Sequence, residues 1–72
     1  MVDTALLKDS IKMSGLKLSY IAEQLGLSRQ GLANKLRGDR RFTVNEVYDL
    51  RRLLGLTAGQ AERIFFARSV DK

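Results

Sequence analysis

Along this chain the apolar residues recur every three or four positions, and the strict alternation of a half-buried strand is absent. Leu7 and Ile11, with Leu6 beside them, give a first helix over about residues 4–14 its inward stripe; Asp3 or Thr4 can cap it and Gly15 can end it. Ile21, Ala22 and Leu25 mark a second helix over about 18–25, followed by Gly26, which suits a left-handed helix exit. Leu32 and Leu36, four apart, mark a third over about 28–37, opened by Ser28 and stopped by Gly38. Thr43 with Glu46 is a capping box for a fourth helix over about 43–54, whose inward positions are Val47, Leu50 and Leu54. Thr57 with Gln60 repeats that device and opens a fifth over about 57–68, with Ala61, Ile64 and Phe65 facing the core. There is no repeat, linker or low-complexity stretch, so the expected fold is all-α, a single five-helix domain spanning residues 1–72.

The second and third helices are separated only by Gly26-Leu27-Ser28. So short a link sets two helices at a steep angle, and Ala22, four residues before Gly26, lets them approach closely. Two readings fit this spacing: an αα-corner used for packing, or a helix-turn-helix over Leu18–Arg37 that holds its second helix clear of the body.

Charge weighs on that choice. The formal net charge is +5, and residues 28–41 hold Arg29, Lys35, Arg37, Arg40 and Arg41 against Asp39 alone. An anion-binding surface is therefore expected around the third helix. At about 100° per residue, Leu32 and Leu36 point inward while Gln30, Asn34 and Arg37 point away, with Arg29 flanking them at the helix start. Arg, Gln and Asn are the side chains that read guanine and adenine edges bidentately in the major groove, and this helix carries no acid. Arg29, Gln30 and Asn34 are the candidates for base readout. Ala33 is a candidate contact for a thymine methyl, and Gly31 would leave room for the helix to approach DNA; a tolerated small residue explains either position as well. Ser28, Lys35, Arg37, Arg40 and Arg41 are candidate phosphate contacts, as are Lys17, Ser19 and Tyr20 at the start of the second helix.

With those residues in view, the chain resembles the Cro/C1-type (Xre-like) helix-turn-helix domains of phage repressors. Ile21-Ala22-Glu23-Gln24-Leu25-Gly26-Leu27-Ser28-Arg29-Gln30 matches the core motif, and Asn34-Lys35-Leu36-Arg37-Gly38 through Phe42-Thr43 matches the exit from the recognition helix. The similarity extends over roughly residues 4–67. It implies a lambda-repressor-like domain that binds double-stranded operator DNA, commonly as a homodimer on an inverted repeat. The function implied is a phage or prophage transcriptional regulator, a repressor of the Cro/C1 kind. By position, base readout falls on Arg29, Gln30 and Asn34, and backbone contact on Ser28, Arg37 and the Arg40–Arg41 loop. One departure is Lys17-Leu18, where the family often has Gln or Thr as cap and phosphate contact; this leaves that contact to Ser19 or Tyr20.

Other functions are weighed by what is missing. With no cysteine and no histidine, thiolate metal sites and the commonest general base are excluded, and the scattered carboxylates suggest no paired acid–base chemistry. No enzyme activity, metal, cofactor or small-molecule ligand is expected. No apolar run is long enough for a membrane span, and the N-terminus lacks the order of a signal peptide, which fits a cytoplasmic protein. The rival is a protein-docking helix-turn-helix module or an antitoxin-type regulator. Phe66 bears on it, since adjacent Phe65 and Phe66 cannot both face the core of a short helix: Phe66 is either a dimer contact or a cover for the first helix.

Overall fold

In the computed structural model, which describes residues 2–66, the described chain is five α-helices and no strand. They are α1 (Thr4–Ser14), α2 (Leu18–Leu25), α3 (Arg29–Leu36), α4 (Val44–Leu54) and α5 (Ala58–Phe65). Each of the first four supplies one wholly buried aliphatic side chain, Leu7, Ile21, Leu32 and Leu50, and α5 adds Ala61, Ile64 and Phe65 to the same cluster. Truncating any of those four to Ala removes about 2–5 kcal/mol, because a close-packed interior relaxes only in part around the void. Val47, Leu54 and Leu25, placed inward by periodicity, lie half-buried at the edge of this core.

The helix starts follow the capping chemistry. The Asp3 carboxylate accepts from the Leu6 N–H at 3.0 Å, and the Ser28 hydroxyl accepts from the Gly31 N–H at 2.9 Å. Both capping boxes form, Thr43 with Glu46 and Thr57 with Gln60. α2 is the exception, since Lys17 precedes it without a side-chain cap. Between α2 and α3, Gly26 turns at φ 72° and the Leu27 N–H donates back to the Ala22 carbonyl at 2.8 Å. This is a Schellman exit, and it delivers Leu27 to the core and Ser28 to the next cap. A Cβ on Gly31 would meet the Ser28 hydroxyl at 3.1 Å, so a cap-side reason for that glycine exists in the protein itself.

α5 ends earlier than the periodicity predicts. Phe66 leaves helical geometry at φ −123°, ψ 30°, and the residue is 62% exposed. Phe66 lies outside the buried cluster, so its burial does not reward a continued turn there. The expected continuation through 67–68 lies outside the described residues. Across the fold, the Asp3 N–H donates to the Ile64 carbonyl at 2.6 Å, joining the start of α1 to the last turn of α5.

Candidate nucleic-acid interface

α3 buries only Leu32 and Leu36, so the rest of its surface is free for other work. Its outward side chains form a connected strip. The Gln30 Nε2 donates to Asn34 Oδ1 at 3.0 Å, and Arg37 Nη2 donates to the same oxygen at 2.5 Å. Arg37 Nε in turn donates to Asp39 Oδ2 at 3.1 Å. The expected readers Gln30 and Asn34 are therefore brought together with Arg37, while Arg29 stands exposed at the start of the helix. Ser28 spends its hydroxyl on the cap, which leaves it facing the same end of α3.

The loop after α3 is fixed at both ends. At its start the Asp39 N–H donates to the Asn34 carbonyl at 2.9 Å, a backbone closure that Gly38 permits at φ 88°. At its far end Glu46 Oε1 accepts from the Thr43 N–H at 2.8 Å and from Lys35 Nζ at 2.6 Å. Arg40 and Arg41 are exposed between these anchors and belong to no ion pair among the described residues.

Lys35 departs from the expectation of a phosphate contact. Its ammonium points toward α4, pairs with Glu46 with both side chains nearly buried, and lies 5.9 Å from the centre of the Phe42 ring. Position 35 is on the flank of α3 next to Leu36, so its methylene stem follows the core surface and its charge meets the one buried carboxylate there. Burial alone would push the Glu46 carboxyl up. The hydrogen bonds from Lys35 and from Thr43, with the Lys35 charge, outweigh that and hold it below the usual carboxylate range. Phe42 is held in turn by an edge-to-face contact with Phe65, ring centres 6.2 Å apart.

At α2, Lys17, Ser19 and Tyr20 are all exposed. Because no side chain caps this helix, its first-turn N–H groups point outward with the positive end of the helix dipole. Ala33 lies on the flank of α3 rather than on the Gln30–Asn34 strip. It is half-buried and lines a crevice with Lys8, Ile11, Lys12, Leu18 and Arg37.

That crevice adds two cations from outside the basic stretch of residues 28–41. Lys8 and Lys12 sit one turn apart on α1, and the fold brings them beside Arg37 and the start of α2. Their spacing of four places both on one face of α1, which is the only trace of the pair in the sequence. A separate apolar groove lies between α4 and α5, lined by Val44, Tyr48, Arg51, Glu62 and Phe66 among others. Val44 is 72% exposed and Tyr48 63% exposed. Phe66 lies on this groove's wall.

Among the described residues no cluster of three or more acidic side chains is placed to hold a metal ion, and no helix is long and apolar enough to cross a membrane. Comparisons with protein-family models, with curated proteins and with solved structures find no match, so the residues and geometry above carry the functional argument alone.

Proposed function

We propose that this protein is a sequence-specific duplex-DNA-binding transcriptional regulator in which Leu18–Arg37 acts as a helix-turn-helix and α3 enters the major groove. The observation that carries the reading is the acid-free outer strip of α3, where Gln30 and Asn34 are held in register beside exposed Arg29. Such a strip supplies the donor and acceptor pattern that base edges require. The uncapped start of α2, with Lys17 and Ser19, and the Arg40–Arg41 loop flank it as sequence-independent phosphate contacts. The resemblance to Cro/C1-type phage repressors agrees with this division of roles and points to repression at an operator.

The apolar groove between α4 and α5 favours a protein contact in addition. In the DNA-binding reading it serves a homodimer on an inverted repeat. In the rival reading, an antitoxin-type regulator or docking module, it serves a different protein. Selection from a pool of random duplex DNA separates the two. Enrichment of a palindrome is expected, with half-sites about 10 base pairs apart, centre to centre. A pool that emerges unenriched rejects sequence-specific binding and leaves the docking module.

A further inference from the structure

An acid at the edge of a surface meant for a polyanion works against binding, and Asp39 is such an acid. It is the only acidic residue between Arg29 and Arg41. Its pairing with Arg37 does not explain it through stability, since the two side chains are 54% and 58% exposed and an exposed pair contributes little. What the pairing does accomplish is geometric.

A guanidinium has only donors, so the Asn34 atom that meets Arg37 is necessarily the carbonyl oxygen Oδ1. The same oxygen takes the Gln30 Nε2 hydrogen bond, which uses both of its lone pairs. Asn34 is left with Nδ2, a pure donor. Bidentate adenine readout needs a donor and an acceptor on one amide, and Asn34 in this state lacks the acceptor. Gln30 still has Oε1 and its second N–H, so it retains the full pair. Arg37 stays on Asn34 because Asp39 Oδ2 holds its Nε, and Asp39 is itself anchored by its backbone N–H on the Asn34 carbonyl.

We infer that Asp39 sets the base preference of α3: by fastening Arg37 onto Asn34 it makes Asn34 a donor that favours acceptor edges such as guanine N7 and O6, and leaves Gln30 as the adenine reader. The inference rests on the DNA-binding reading proposed above. Asp39 is thus a positioning residue that contacts no base. Freed from it, the Arg37 side chain turns to the nearest phosphates, and Asn34 regains Oδ1 for adenine.

The test is random-duplex selection with the wild type, Asp39→Ala and Asp39→Asn, alongside thermal unfolding of each. Both variants lose the acid and are expected to bind all DNA more tightly, with the wild-type melting temperature. Asp39→Asn keeps an oxygen that accepts from Arg37 Nε and is expected to keep the wild-type preference. Asp39→Ala loses it, and the preference for guanine over adenine at the Asn34-contacted base pair is expected to fall about tenfold, the size of one good base contact. A wild-type preference in Asp39→Ala overturns the inference. So does an equal loss in both variants, which would assign the effect to charge instead of the tether. If the wild type itself enriches nothing, the DNA-binding reading falls and the inference falls with it.

Discussion

A single oxygen of Glu46 receives two hydrogen bonds, one from the backbone that opens α4 and one from the Lys35 ammonium of α3. Its carboxyl titrates below its ordinary range in the fold, so its contribution to stability is complete above the unfolded value of about 4.3. That contribution drains away as the pH falls through the lower folded value. Glu46→Gln, which keeps an oxygen for Thr43 but loses the charge, should cost about 2 kcal/mol in urea unfolding at pH 7. At pH 3 the gap between variant and wild type should narrow; a gap of equal size at both would show the charge to be idle. This residue also marks a limit of sequence reading. Its place three after Thr43 made its capping role legible. Its bond to Lys35 spans the 37–43 loop, and no local pattern says how that loop folds back. Lys35 accordingly reads in the sequence as one more free cation, and Lys8 and Lys12, balanced by nearby acids along the chain and distant from α3 in sequence, give no sign of lying beside it.

At the scale of elements, legibility was high wherever glycine or a capping side chain punctuates the chain. Gly26 and Gly38 end α2 and α3 near their expected bounds because their positive φ angles are open to glycine at no steric cost. Only α5, whose C-terminal end has no such marker, stops short of expectation, at Phe65. The start of α2 is informative for the opposite reason, an absent cap. Lys17→Ser places a hydroxyl where the first-turn N–H groups lack one, and caps of this kind are worth about 1 kcal/mol. In a domain of this size that raises the melting temperature by roughly 4–8 °C. The same change withdraws an ammonium and occupies an N–H proposed for phosphate, so duplex affinity should fall. A more stable variant with undiminished affinity would remove the α2 start from the interface.

For the whole molecule, internal pairing redistributes the charge. Lys35 is neutralised by Glu46 and Arg37 is tied to Asp39, so the exposed cations near α3 become Arg29, Arg40 and Arg41, joined by Lys8, Lys12 and Lys17. If the five of these other than the base-reading Arg29 meet phosphates, the logarithm of duplex affinity against the logarithm of salt concentration should have a slope of about −4.5. Replacing Lys8 and Lys12 together by Gln should flatten it by roughly 2. An unaltered slope in the double variant would place α1 outside the footprint.

The hydrogen bond from the Asp3 N–H to the Ile64 carbonyl gives this small fold a further property. Terminal helices of small domains ordinarily fray first and independently of the body. Here the start of α1 and the last turn of α5 are joined by a backbone hydrogen bond, so neither of these two described helices opens at that point without the other. Solvent exchange at the Asp3 amide then requires the opening of the joined ends as a unit, making a residue at the periphery a gauge of how firmly α1 and α5 hold together.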